Sequence, residues 1–250
     1  MRDLRVAGSF LTRVPMHVEG TVDVAGATPW FPVVGLAIGA AGAAVFVAAT
    51  RLVGAAPAAA LALVTTALTT GAFHQDGLAD IADAFGGGWD VEQRLVILKD
   101  SRHGTYGVVS LVLVSLVQWS ALGSLGWAWG AAAIVAAHVL GRTAILGVLL
   151  FGRPARRPGL GTDYAAGLRR GPVTAGLAGG VALGALVLGI WVLPAVGLVI
   201  IGTLVVHELA RRKIGGFTGD VLGATEQIGE SMVVLAVAAV THAGHVVWWR

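Results

Sequence analysis

Apolar residues run through this chain in blocks longer than a soluble helix needs, and polar residues collect in the gaps between them. A bilayer-spanning helix requires ~20 mostly apolar residues. Stretches of that kind occupy 29–50, 57–73, 105–125, 127–151, 173–192, 194–210 and 228–248. The division near Pro194 is the loosest, since 173–210 can be cut in more than one way. The gaps carry a different pattern. Residues 90–102 place Val91, Leu95 and Leu98 on one face of a short amphipathic helix suited to the membrane surface. Asp76, Asp80 and Asp83 fall at i, i+4 and i+7, one stripe of a helix directly after an apolar run. The pattern predicts an all-α, polytopic integral membrane protein with about seven transmembrane helices. No internal repeat, soluble domain or disordered tail interrupts it, so residues 1–250 read as a single transmembrane domain.

Composition agrees: 56% of residues are hydrophobic, 12% are charged, and mean hydropathy is +0.81. Charge placement orients the spans. With the N-terminus in the cytoplasm, every Lys and Arg except Arg51, Arg142 and Arg250 lies in a cytoplasmic segment, the positive-inside pattern of an N-in, C-out topology. Trp127, Trp129, Trp191, Trp248 and Trp249 fall near the outer ends, as an interfacial belt requires. All 14 acidic residues lie in or beside the same cytoplasmic segments, which orientation does not demand. That face is therefore the working one. The first apolar run begins well inside the chain, and no signal peptide is visible. The absence of cysteine excludes disulfides, thiolate catalysis and zinc–thiolate sites. Topology accounts for the net charge of +3, and no aromatic–basic interleaving points to nucleic acid. Abundant Ala and Gly fit close helix packing in lipid.

Three carboxylates on one stripe repel each other unless a cation sits among them, and their offsets suit a shared hard ion such as Mg²⁺. Asp76, Asp80 and Asp83 are the expected metal ligands; the alternative is a solvated acidic helix end. Gly77 and Gly86–Gly88 flank them as if backbone must approach a ligand. Downstream, Lys99 and Arg102 are placed to clamp phosphate oxygens, with Ser101 and Thr105 offering hydroxyls; a charged interfacial turn is the plainer reading. Glu226 and Glu230 are i, i+4 partners preceded by Asp220. Together with Asp100 they are candidates for a second metal or a general base, and His74 is a further base candidate; otherwise 220–230 is an acidic helix entry complementing the macrodipole. Arg142 lies ~13 Å along its span from the cytoplasmic end, with His138 one turn away. A charge so deep needs a partner or an aqueous cavity, so Arg142 either binds anionic substrate or pairs with a carboxylate. His207 and Glu208 are placed with the same cavity. The arginines of 151–164 hold a phosphate or simply serve topology.

The motifs F-L-T-R-V-P (10–15), G-A-F-H-Q-D-G-L-A-D-I-A-D (71–83), L-K-D-S-R-H-G-T-Y-G (98–107) and G-G-F-T-G-D-V-L-G-A-T-E-Q-I-G-E (215–230) together resemble the cobalamin synthase family, adenosylcobinamide-GDP ribazoletransferases. Gln75 departs from the family pattern, where Leu is common, and the last fifteen residues carry no family motif. The resemblance implies a membrane enzyme that joins adenosylcobinamide-GDP to α-ribazole or its 5′-phosphate, releasing GMP, with Mg²⁺ as cofactor. A ribose hydroxyl attacks the cobinamide-linked phosphate. It further implies the bacterial cytoplasmic (inner) membrane, with the site facing the cytoplasm, and small-molecule substrates beside the lipid bilayer as partners. Such a displacement needs positioning and charge neutralisation, a role that suits Lys99, Arg102 and Arg142. Rival readings are a CDP-alcohol phosphotransferase, whose D-x-x-D-G-x-x-A-R pattern is not matched, an intramembrane prenyltransferase, and a transporter, which would place polar groups toward both faces.

Overall fold

The computed structural model describes residues 1–18, 20, 22–155 and 167–249. Those residues form helices, with an isolated bridge between Pro154 and Phe217 as the only β pairing described. Two short N-terminal helices, α1 (Arg2–Leu11) and α2 (Val24–Ala27), lead into α3 (Phe31–Val53) and α4 (Ala55–Thr70). Next come α5 (Phe73–Gly87), α6 (Val91–Ile97), α7 (Thr105–Gly123) and α8 (Trp127–Phe151). The chain closes with α9 (Arg170–Leu188), α10 (Val192–Ile214) and α11 (Gly219–His242).

Each of the seven apolar runs contains a helix. Five stretches are long and apolar enough to cross a membrane: Val24–Val53, Thr105–Gly123, Trp127–Phe151, Arg170–Ile214 and Gly219–His242. The fourth is broken by a 3₁₀ turn at Gly189–Trp191 into α9 and α10, which both line one groove along α8. α4 and α5 together form a further apolar pair, bent by 92°.

α8 is the axis of the bundle, buried along almost its whole length. Small residues let its neighbours close on it. Gly35 and Gly39 of α3 lie against the backbone of His138 and Val135, where an added Cβ would come within 2.3 and 2.8 Å of backbone atoms. Lipid offers no hydrophobic gain for helix association, so such close approaches supply the packing. On the other side Gly141 of α8 meets α11 beside Glu226 and Gly229. The predicted aromatic belt gathers at one end of this core. Trp129 Nε1 donates to the His245 carbonyl at 3.1 Å, Trp191 lies against the His245 ring, and Trp249 Nε1 reaches the Val187 carbonyl at 3.3 Å.

Two boundaries differ from expectation. α11 begins at Gly219, well before residue 228, because the Thr218 hydroxyl caps it by accepting from the Val221 amide. Glu226 and Glu230 therefore lie in the helix body. The segment 90–102 is helical only over Val91–Ile97, starting where the Asp90 side chain accepts from the Gln93 amide at 2.8 Å. It ends early because Asp100 offers its carboxylate to the Arg102 amide at 3.1 Å, a local turn that competes with helix. Leu95 is buried there, whereas Val91 is exposed and Leu98 falls past the helix end.

Gly39→Leu should force α3 off α8 and lower stability by about 1–3 kcal/mol, the usual cost of overpacking. Gly179→Leu, at a position with no atom within 4 Å of an added Cβ, should leave it unchanged. Unfolding titrations in mixed micelles, followed by tryptophan fluorescence, compare the two.

Candidate active site

The site begins at the bend between α4 and α5. Gly71 and Ala72 both adopt left-handed backbone angles, φ 66° and 56°. For Ala72 this costs roughly 1–2 kcal/mol, and three hydrogen bonds hold it. The Ala72 amide reaches the Ala67 carbonyl at 2.9 Å, the Gly71 amide reaches Leu68 at 3.3 Å, and the Arg13 amide donates to Thr69 at 2.8 Å. The turn sends α5 across the end of the bundle, where Gly77 and Gly223 let it cross α11 almost backbone to backbone. The flanking glycines thus serve helix contact rather than approach to a ligand: Gly77 meets α11, Gly86 lies under the Tyr106 ring, and Gly88 under Arg94.

On the outer side of α5, Asp76 and Asp80 converge on a residue to which the sequence reading gave no role. His103 Nε2 is 3.6 Å from Asp76 Oδ1, and its Nδ1 is 3.7 Å from Asp80 Oδ1. One ligand atom from each of the three lies within 4.8 Å of the others. α5 is not among the helices long and apolar enough to span, so these carboxylates sit at the mouth. Burial, then the charges of Asp76 and Asp220, push the Asp80 carboxyl up to about 6, with His103 opposing them. A cation here would relieve that crowding. The carboxylate oxygens fit a hard ion such as Mg²⁺, whereas imidazole is a ligand preferred by Zn, Cu, Fe and Ni. Asp76 and Asp80 are the residues that would hold Mg²⁺, with Asp220 brought beside them from the start of α11 and tied by the Thr218 hydroxyl at 3.2 Å.

Asp83 does not join them, although it shares their stripe. Its two oxygens accept from the Gly104 amide at 2.6 Å and the Gly107 amide at 2.9 Å. It caps the start of α7 and fixes the loop that delivers His103, so both of its oxygens are engaged away from a metal. Lys99, Ser101, Arg102 and Thr105 are exposed on or beside that loop. Arg102 is already paired with Asp100, Nη2 to Oδ2 at 2.7 Å. The same pairing holds the Asp100 carboxyl down to about 2, leaving it too weakly basic to serve as a general base.

The profile of a family described as cobalamin-5-phosphate synthase matches residues 3–238. The chain belongs to this family. An adenosylcobinamide-GDP ribazoletransferase of Bradyrhizobium diazoefficiens is 44% identical over 95% of this chain and 93% of its own length. Proteins of the same name from Shewanella frigidimarina and Mesorhizobium japonicum are each 39% identical, covering 94% and 95% of this chain and 93% of their own. No solved structure matches.

In this cobalamin-5-phosphate synthase family member the remaining acids belong to the interior. Arg142 is 1% exposed and its Nη1 bonds both Glu226 and Glu230, the latter at 3.0 Å. His138 Nδ1 contacts Glu230, His74 Nδ1 lies 3.4 Å from Glu226, and Gln227 Nε2 donates to Glu226 at 2.9 Å. Arg142 therefore pairs with carboxylates instead of binding substrate, and Glu226, Glu230 and His74 are engaged with it rather than facing the mouth. Glu208 is drawn away by Arg211 and Arg212, at 2.6 and 2.5 Å, and His207 lies beside Gly152 on the other flank of α8. Arg153 gives its carbonyl to the Phe217 amide at 2.9 Å; Arg156 and Arg157 lie outside the described residues. Besides His103, the sequence reading passed over Arg13, which lies across Gly71 in a pocket of about 580 Å³ shared with Asp76 and His103. Both stood inside quoted motifs; only the folded chain shows that the motifs meet.

Asp83→Ala should speed hydrogen exchange at Gly104 and Gly107 by about ten- to a hundredfold, as loss of bonds to a charged acceptor implies, while Asp80→Asn should leave both amides protected. Arg142→Met should cost about 3–5 kcal/mol, the penalty for stranding a buried carboxylate, read from the unfolding midpoint in micelles.

Proposed function

We propose that this chain is a Mg²⁺-dependent transferase that moves the adenosylcobinamide-phosphate group of adenosylcobinamide-GDP onto α-ribazole or its 5′-phosphate. GMP is released and adenosylcobalamin or its 5′-phosphate is formed. The observation that carries the reading is the meeting of Asp76, Asp80 and His103 at the mouth of a bundle whose relatives bear the name of this transferase.

In the step, a ribazole hydroxyl oxygen forms a bond to the cobinamide-linked phosphorus. The bond from that phosphorus to the bridging oxygen breaks, and GMP leaves with the electron pair. Mg²⁺, when bound, supplies charge neutralisation on the phosphate oxygens. The protein's own groups position and steer. Asp76 and Asp80 hold the acidic centre, and Arg13, Lys99 and Arg102 surround it with cations able to engage phosphate oxygens. His103, between the two carboxylates, is the nearest imidazole to take the hydroxyl proton. We place the site at the cytoplasmic face of the inner membrane, because the basic segments share the end at which these residues gather.

Purified protein given adenosylcobinamide-GDP, α-ribazole and Mg²⁺ should release GMP and cobalamin, separated by chromatography. Asp80→Asn should lower kcat/KM by about a hundredfold or more, the scale of losing a charge-stabilising group, with the unfolding midpoint retained. Full turnover by that variant, or in excess chelator, would remove the metal centre from the reading.

A further inference from the structure

Beside the mouth, a groove of about 700 Å³ opens between α4 and α7 toward the surface that faces lipid. It is continuous with the mouth pocket, since Gln75 and Leu111 line both. Its walls are apolar, with Val64 53%, Leu116 49% and Trp119 40% exposed. Its floor is not. Gln118, Gln227 and Glu230 lie there, each no more than 5% exposed. Gln118 spends one amide hydrogen on the Ser231 hydroxyl at 3.1 Å. Gln75, at the neck, makes no hydrogen bond among the described residues.

A purely apolar occupant suits the walls but not the floor, because buried amides facing hydrocarbon lose hydrogen bonds that water would have given. A base rich in donors and acceptors, such as guanine, suits the floor but not the walls. Ligand sites of this kind, mostly apolar with a few fixed polar groups, take a ligand of the same mixed character. Resting on the function proposed above, we propose that the α4–α7 groove binds the aromatic base of α-ribazole, a flat methylated bicycle with a single free ring nitrogen. The Gln75 amide donates to that nitrogen at the neck. The ribose then spans the neck and brings its hydroxyl to Asp76 and His103, while the corrinoid phosphate and GMP approach from the aqueous side past Arg13. The nucleoside is held along the bundle's flank and the nucleotide above it, so the two substrates enter by separate routes.

The test reads the two substrates separately. Ser115→Trp fills the groove and Gln75→Leu removes the amide at nearly constant volume; both are checked by gel filtration in detergent. Ser115→Trp should raise KM for α-ribazole about tenfold, as overfilling a packed site does, with KM for adenosylcobinamide-GDP unchanged. Gln75→Leu should raise KM for α-ribazole about fivefold, the worth of one neutral hydrogen bond. It should leave unchanged the KM of the analogue in which carbon replaces the ring nitrogen. Equilibrium dialysis of α-ribazole, without the second substrate, should show the same losses of affinity. Wild-type affinity in both variants overturns the proposal, as does an equal rise in both KM values. Loss of copurifying phospholipid from Ser115→Trp with α-ribazole affinity intact assigns the groove to lipid and also overturns it. Absence of GMP release by the wild type would strike the transferase reading, whereas dialysis still decides the groove.

Discussion

Arg142 and its two carboxylates sit where water does not reach, so each must keep the others. A guanidinium at the middle of an apolar bundle is tolerated when paired, and here Glu226 and Glu230 come from one helix while Arg142 and His138 come from another. The register of α8 against α11 is thereby fixed, because sliding either helix by a turn would strand a charge. His74 extends the same group to α5, 3.4 Å from Glu226. Through that contact the interior fixes the helix that carries Asp76 and Asp80. Breaking a buried pair costs far more than the pair contributes over a well-packed apolar alternative, which makes the group a device of position more than of stability.

From that fixed crossing the site follows by steps of geometry. The left-handed pair Gly71–Ala72 turns α5 over the end of the bundle, and Gly77 against Gly223 lets it settle there. The carboxylates then divide. Asp76 and Asp80 face the mouth, while Asp83, one turn on, is consumed by two loop amides. One stripe thus holds both the acidic centre and the support of the loop that brings His103 to it. The arrangement meets the needs of a phosphoryl displacement, where positioning and charge neutralisation matter more than covalent help.

The fold was legible because lipid imposes long apolar runs, and each of those runs contains a helix. The acidic stripe was legible because a period of 3.6 puts Asp76, Asp80 and Asp83 on one face. What the period does not carry is the distribution of partners across that face. Asp83 differs from Asp80 only through two glycine amides more than twenty positions away. Arg142 presented two readings in the sequence, and the choice depended on a carboxylate 84 positions downstream. His103 and Arg13 were invisible as site residues because nothing local marks them; a tertiary bend gathers them. The helix start at Gly219 was obscured because the polar stretch before residue 231 looks like a loop until the buried cluster gives its side chains a reason to be helical.

The wide separation of Arg142 from Glu226 also bears on how the chain is made. At synthesis rates of roughly 5–20 residues per second, those 84 residues take about 4–17 s. During that interval α8 has already emerged and its guanidinium has no permanent counter-charge. α11, which brings both glutamates and Asp220, is the last helix to arrive. The nascent chain therefore waits in a half-assembled state, with Arg142 sheltered by the insertion machinery or by lipid headgroups. The acidic centre comes into being only as synthesis closes.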